Sequence, residues 1–380
     1  MTPSLIFSSK KVVKNTYFRL VFIPLLQVYY ALYIMKYLNL LITLLIIVLG
    51  SYPIFAQNNS VDARKNYRQG LAALDSSDLE SAMRFFKAAQ QADTANITYK
   101  YQIAAVHFLK KDFKQSLRLL QPLLAHRDIS PNMIRLAANN YDNLGQQEKA
   151  IEYYKQGIEL APHDGKFYHD LGNIYMMRKQ KDLATEYFEK GIDMDSKFTA
   201  NYYWACKSSI GAGNYWWGLL YGELFINLER NTPRTSEISK LLYDNYLQIS
   251  KMGTDSLLRL QTNVQKWETK FEQTCQEVWL KTSARPQPTN MAALCELRRG
   301  FLRNYLVTVP NKMQQYPLFG FWKEVENSDY WETYNFWLFN QGNETEFETF
   351  MEQNAAAFGR FVTWFVQKPL EVGTKKLTRK

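Results

Sequence analysis

Between Ala63 and Thr232 apolar residues recur every three or four positions in short runs, each closed by polar turn residues. This spacing predicts amphipathic helices of three to four turns. The runs come in pairs, and the pairs repeat. Five consecutive 34-residue blocks fit without a gap: 63–96, 97–130, 131–164, 165–198 and 199–232. The third reads PNMIRLAANNYDNLGQQEKAIEYYKQGIELAPHD and the fourth GKFYHDLGNIYMMRKQKDLATEYFEKGIDMDSKF. The eighth places hold Gly70, Ala104, Ala138, Gly172 and Cys206; the twentieth hold Ala82, Ser116, Ala150, Ala184 and Gly218. All are small, as close approach of two helix backbones requires.

Larger residues sit beside them: Phe86, Leu120, Tyr154 and Phe188 at the twenty-fourth place, Tyr141 and Tyr175 at the eleventh. A turn falls at Asn143-Leu144-Gly145-Gln146, and Pro162 closes the third block, where a helix must stop. One hairpin cannot bury its apolar stripe alone, so the blocks predict an α-solenoid. With this period and these small, aromatic and proline places, residues 63–232 resemble tetratricopeptide repeats. Blocks three and four match best. Block two departs at Lys100 and His107, and block five at Gly222, where a large residue is expected.

The resemblance implies an all-α fold, a protein or peptide partner, and a groove lined by the first helix of each hairpin. The fifth and ninth places would point into it. The fifth are Tyr67, Tyr101, Arg135, His169 and Tyr203; the ninth are Leu71, Ala105, Asn139, Asn173 and Lys207. The partner-binding set expected from these is Tyr101, Arg135, Asn139, His169, Asn173, Tyr203 and Lys207. Asn139 and Asn173 can hold an extended backbone by amide hydrogen bonds, and Arg135 and Lys207 can meet a carboxylate. The family's clamp for a C-terminal carboxylate is not matched: Asp170, Ala200 and Trp204 stand where its later cations and amides would be.

Past residue 232 the period is lost but helical spacing continues. Helices are expected over Ser236–Met252, Asp255–Lys281 and Asn290–Thr308, with a linker at Arg285-Pro286-Gln287-Pro288 and a stop at Pro310 and Asn311. Tyr316, Phe319, Phe321, Trp322, Tyr330, Trp331, Tyr334, Phe336, Trp337 and Phe339 then crowd together. They predict an aromatic core capping the open end of the array; the alternative is an exposed platform for a partner or glycan. The smaller helical region is bounded at 233–370, followed by a basic tail, 371–380. This segment also resembles C-terminal stretches of tetratricopeptide proteins of Bacteroidota.

Ahead of the blocks, residues 35–57 read MKYLNLLITLLIIVLGSYPIFAQ. A basic start, an apolar run, the helix breakers Gly50 and Pro53 and a small residue at Ala56 make a secretory signal peptide, 35–56, with 57–62 as a linker. Its ending resembles export signals of Bacteroidota, which implies a periplasmic location. Residues 1–34 add a second apolar stretch. The preferred reading takes Met35 as the start; the alternative keeps Met1 and anchors the chain in a membrane through residues 17–56.

The net charge of +10 falls by half when Lys10, Lys11, Lys14, Arg19 and Lys36 are set aside, and Lys375, Lys376, Arg379 and Lys380 carry much of the rest. Nothing clusters on a folded face, which argues against nucleic acid. Cys206, Cys275 and Cys295 form no CxxC and are expected as buried thiols, a Cys275–Cys295 pair being the alternative. Four histidines in no ligand spacing argue against a metal, and Glu344, Glu346 and Glu348 read as a solvated face. No motif sets a nucleophile beside a base, so neither an enzyme nor a cofactor is expected. The function expected is a scaffold of the cell envelope with a protein or peptide partner, within an outer-membrane complex; the alternative is a glycan or peptidoglycan binder using exposed aromatics.

Overall fold

A computed structural model describes residues 23–251, 267–283, 287–309, 316–372 and 378. Among them every regular element is a helix. Each 34-residue block holds two. Block one takes the end of α1 (Ile23–Asp75) and α2 (Leu79–Ala92); block two, α3 (Ile97–Leu109) and α4 (Phe113–Leu124). Block three holds α5 (Pro131–Asn143) and α6 (Gln147–Leu160); block four, α7 (Gly165–Met177) and α8 (Lys181–Met194); block five, α9 (Thr199–Gly211) and α10 (Tyr215–Leu228). Then follow α11 (Pro233–Lys251), α12 (Trp267–Ser283), α13 (Met291–Thr308), α14 (Pro317–Asn327), α15 (Trp331–Leu338) and α16 (Glu344–Gln367).

One turn recurs in all five blocks. The fifteenth place is left-handed: Ser77 (φ 61°), Lys111 (φ 62°), Gly145 (φ 75°), Lys179 (φ 60°) and Gly213 (φ 85°). The sixteenth amide donates to the eleventh carbonyl at 2.8–2.9 Å, and the fifteenth to the twelfth at 2.8–3.0 Å. This is a Schellman ending, which satisfies carbonyls that the first helix leaves unpaired. It fixes where the second helix sets off.

The ten small residues at the eighth and twentieth places are all buried. The eighth place faces the twenty-fourth: a Cβ on Gly70 would meet the Phe86 ring at 2.5 Å, and one on Gly172 would run into Phe188. So the small residue makes room for an aromatic ring as well as for a backbone. Block five exchanges the two sizes. Cys206 stands at its eighth place, and a Cβ on Gly222 would meet the Cys206 Sγ at 2.8 Å and Leu242 at 2.8 Å. The glycine that departed from the pattern therefore admits α11. A second rule joins successive blocks. In blocks one, three and four the twenty-seventh place is small, and the third place of the next block fills it: Ala89 packs in one cluster with Tyr99, Gly157 lies under Phe167, and Gly191 under Asn201.

The chain divides into two compact units, residues 1–123 and 124–380. The second joins blocks three to five to the C-terminal helices, so the division does not fall at residue 232. The reason is α10, which reads YWWGLLYGELFINL and is buried from Trp216 through Asn227. Its core is shared with Trp279, Phe301, Phe319, Trp322 and Tyr334. At the centre lies an ion pair: Glu223 accepts from Arg298 Nη2 at 2.6 and 2.8 Å, from Trp322 Nε1 at 2.5 Å and from the Tyr334 hydroxyl at 2.8 Å. Arg298 also donates to Asn335 Oδ1, and its guanidinium lies 4.9–5.6 Å from the ring centres of Tyr246, Trp322, Trp331 and Phe339. Buried charges need this density of partners, because neither can reach water.

The N-terminal segment differs from expectation in one respect. Helix α1 runs through Gly50, Pro53 and 57–62 to Asp75, so the expected linker is helical. A proline removes a single i to i−4 hydrogen bond and leaves the turns on either side free to form. Among the described residues no helix is long and apolar enough to cross a membrane. Residues 1–22, Met252 at the end of the expected helix Ser236–Met252, residues 255–266 of the expected second long helix, Arg285 and Pro286, Pro310 and Asn311, and Lys375, Lys376, Arg379 and Lys380 lie outside the described residues.

Candidate functional site: the face of the first helices

Within the second unit the fifth and ninth places of blocks three to five are Arg135, Asn139, His169, Asn173, Tyr203 and Lys207. Tyr203 is buried and the others half-buried. Tyr101 belongs to the first unit. It is half-buried on α3, where its neighbour Gln102 donates to the Tyr67 hydroxyl at 3.4 Å.

Arg135 is paired within the chain. Its Nε donates to Asp170 Oδ2 at 2.6 Å and its Nη2 to Oδ1 at 3.3 Å, a fork that bridges α5 and α7. Burial works against the guanidinium, but Asp170 outweighs it and raises the Arg135 pKa. His169 Nδ1 lies 3.0 Å from Asp170 Oδ1, and the Asn173 amide nitrogen 3.3 Å from the same His169 nitrogen. The His169 ring meets Phe198 edge-on at 5.7 Å. Asn139 is oriented from behind: the Tyr154 hydroxyl donates to its Oδ1 at 2.6 Å. Burial, with Asp170 and Asp142 nearby, pushes the Tyr154 hydroxyl pKa far up, so it stays a donor. The Asn139 amide nitrogen then meets no acceptor on the described residues.

Block five repeats the arrangement. Lys207 Nζ lies 2.6 Å from Glu237 Oε1 and donates to the Tyr203 hydroxyl at 3.0 Å; Tyr203 donates to Glu237 Oε2 at 2.5 Å. Burial disfavours both charges, but their mutual pairing prevails, raising the Lys207 pKa and lowering that of Glu237. Arg234 Nη2 meets Glu229 Oε2 at 2.5 Å. Lys207 also sits 5.1 Å from the ring centre of half-buried Trp204.

Three partners escaped the reading of the sequence: Asp170, Glu237 and Tyr154. A signal was present. Arg135 and Asp170 are 35 apart, Tyr203 and Glu237 34, and Lys207 and Glu237 30. In a solenoid of this period such offsets join adjacent hairpins, and an offset of 30 also brings Lys110 to Glu80 and Arg178 to Glu148.

The platform alternative for the aromatic stretch is corrected. Trp322, Trp331, Tyr334 and Phe339 are buried inside the C-terminal core, and Tyr330 and Trp337 are half-buried against it. Glu346 is not merely solvated. It accepts from the Met291 amide at 2.6 Å and from Asn343 Nδ2 at 2.7 Å, tying the starts of α13 and α16 together. Cys206, Cys275 and Cys295 are all buried, and Cys206 and Cys295 are free thiols; burial pushes Cys295 up to about 12. Among the described residues no group of three or more His, Cys, Asp or Glu is placed to hold a metal ion.

A family model for the tetratricopeptide repeat matches residues 136–164 and 165–198. Residues 136–198 carry tetratricopeptide repeats. The two matches fall in blocks three and four, where the small and aromatic places are best kept. No curated protein matches the chain. Solved structures similar to it include PilF of Pseudomonas aeruginosa, with 16% identity and a TM-score of 0.43 over 54% of this chain and 98% of that one. MamA of Desulfovibrio magneticus RS-1 has 16% identity and a TM-score of 0.38 over 45% and 97%. A tetratricopeptide repeat protein of Parabacteroides merdae has 16% identity and a TM-score of 0.39 over 74% and 98%. Likeness at this level says nothing of function.

Proposed function

We propose that the chain is a non-enzymatic scaffold of the cell envelope that binds a partner protein or peptide through the first helices of its tetratricopeptide repeats. The observation that carries this is the row of half-buried polar side chains at fixed places on α5, α7 and α9, with the Asn139 amide held open by Tyr154. Buried polar groups normally find partners inside the chain; a half-buried donor that meets no acceptor among the described residues suits a ligand acceptor. Export through the apolar N-terminal segment, with release near Ala56, would place the mature chain in a periplasm and its partner in an outer-membrane complex. The glycan reading loses its basis, because the rings it needs are packed in the core.

The test is an affinity capture of the C-terminally tagged protein from its native envelope, with the mature N-terminus read by mass spectrometry. A stoichiometric protein partner and a chain beginning at Gln57 are expected. Recovery of the protein alone, or with glycan fragments, would overturn the scaffold reading. A chain that retains residues 35–56 would overturn release near Ala56.

A further inference from the structure

The second helix of each hairpin presents an exposed face of its own, and the charges on these helices divide between the two units. Helices α2 and α4 hold four cations and one acid, a net +3; α6 and α8 hold seven carboxylates and four lysines, a net −3. The even spread of charge expected from the sequence is thus a cancellation between two pairs of helices. The division is sharpest at the twenty-second place, which holds Arg84, Arg118, Glu152 and Glu186 in blocks one to four. Arg84, Arg118 and Glu152 are exposed and Glu186 is half-buried. Block five has Leu220 there, buried in the large core, so the row ends at block four. The next place along shows how the charges are grouped. Phe85 and Leu119 pack on one cluster of the first unit, and Tyr153 and Tyr187 on one cluster of the second. One residue earlier on the same helices, Arg84 and Arg118 flank the first cluster, and Glu152 and Glu186 the second. Neither arginine forms an ion pair among the described residues: Arg84 lies 5.1 Å from the centre of the Phe85 ring, and Arg118 donates to Gln115 Oε1 at 3.0 Å. Glu152 forms none either. Glu186 meets Lys190 at 3.1 Å, a surface pair one helix turn apart that contributes little.

We infer that a second copy of this chain docks on the basic second-helix face, with Arg84 and Arg118 of one copy meeting Glu152 and Glu186 of the other. Charge complementarity selects this occupant. The two signs stand at the same place of the hairpin, one block apart within each unit, and a repeat of fixed period advances by one fixed step. The two cations and the two carboxylates therefore have matched spacings, and both pairs can close at once. Exposed ion pairs alone set register more than they hold a contact together. Half-buried Phe85 and Leu119 on one side, and half-buried Tyr153 and Tyr187 on the other, supply the apolar and aromatic surface that such a contact needs. The contact is heterologous. Two joined chains still show one free face of each sign, so association continues until it closes into a ring or runs on as a fibre. It uses the second helices and leaves the first-helix face to the partner of the scaffold reading.

The experiment follows the purified protein by sedimentation velocity from roughly 1 to 100 µM, at about 0.05 and 0.5 M sodium chloride. Species that grow with protein concentration at low salt and dissociate at high salt are expected, because screening weakens contacts between exposed charges. Two charge reversals make the decisive test: Arg84→Glu with Arg118→Glu, which leaves both faces acidic, and Glu152→Arg with Glu186→Arg, which leaves both basic. Each variant alone should need at least about tenfold more protein to associate, and an equimolar mixture should return to within about threefold of the parent. Circular dichroism checks that both variants are folded. A protein that stays single at low salt would overturn the inference. So would association that survives high salt or survives in either variant alone, or folded variants that fail to associate when mixed. If the protein stays single while the envelope capture yields an acidic protein that the Arg84→Glu, Arg118→Glu variant loses, the basic face belongs to that protein and not to a second copy. That result would also move the scaffold's partner off the first helices; the other outcomes leave the scaffold reading standing.

Discussion

At the fifteenth place of each block the backbone is left-handed, yet only Gly145 and Gly213 are glycines. A side chain there costs roughly 1–2 kcal/mol, because Cβ crowds the next carbonyl. Glycine's extra freedom in the unfolded chain returns part of that. Lys179→Gly should therefore stabilise the protein by about 0.5–1 kcal/mol, read as a higher midpoint in urea; an unchanged or lower midpoint would mean that the turn depends on the lysine. Asp142 makes a second case. Burial, and then the charge of Asp170, raise its pKa. A carboxyl raised in the folded state stabilises below its unfolded pKa, and that contribution is lost as pH rises through the folded value. At neutral pH it is a liability. Asp142→Asn should raise stability at pH 7, and the gain should shrink as pH falls toward the ordinary carboxyl range near about 4. A gain that persisted in acid would point to a steric cause.

Elements obey the same packing rules with different residues. The eighth and twentieth places were legible in the sequence because their periodicity needs no knowledge of partners. Why they are small was only half legible: Gly172 lies beneath the Phe188 ring of its own hairpin, and the small twenty-seventh place, where Gly157 lies beneath Phe167 of the next, was not read at all. Ala184, on α8, has no exposed surface and belongs to the large core. Ala184→Leu should overpack the hairpin and cost about 1–3 kcal/mol, measured by urea denaturation. A variant as stable as the parent would show that the fourth block is not packed as described. Block five shows how a rule can be kept while its residues change, since Cys206 and Gly222 exchange the sizes found at those places in blocks one and four. Read as a mismatch, Gly222 weakens the repeat; read with α11 in place, it is what lets that helix approach.

For the second unit as a whole, the repeats and the C-terminal helices share a core. Helix α10 is apolar on nearly every side, as a helix enclosed by protein must be. A truncation ending at residue 232 would expose it, and should yield an aggregating chain, monitored by light scattering; a soluble, cooperative repeat array would contradict the shared core. The buried pair supplies a finer test. Arg298→Met leaves Glu223 charged and unpaired, which should cost roughly 3–5 kcal/mol, whereas Arg298→Met together with Glu223→Leu should recover most of that loss. Thermal melting of the three proteins checks this, and equal losses in the single and double variants would remove the pair from its central role.

The sequence by itself determined the helices, the 34-residue period, the small places and the positions of Arg135, Asn139, His169, Asn173, Tyr203 and Lys207 along the first helices, because all of these follow from local spacing. Only the tertiary structure decided what those side chains do. Asp170 on α7 and Glu237 on α11 close on Arg135 and Lys207, and Tyr154 holds the Asn139 side-chain oxygen from the second helix of its own hairpin. It also decided that the aromatic stretch is core and that Glu223 and Arg298, 75 residues apart, meet inside it. Periodicity is written along one chain segment, whereas the partner of a charge or a ring is set by which segments fold against each other.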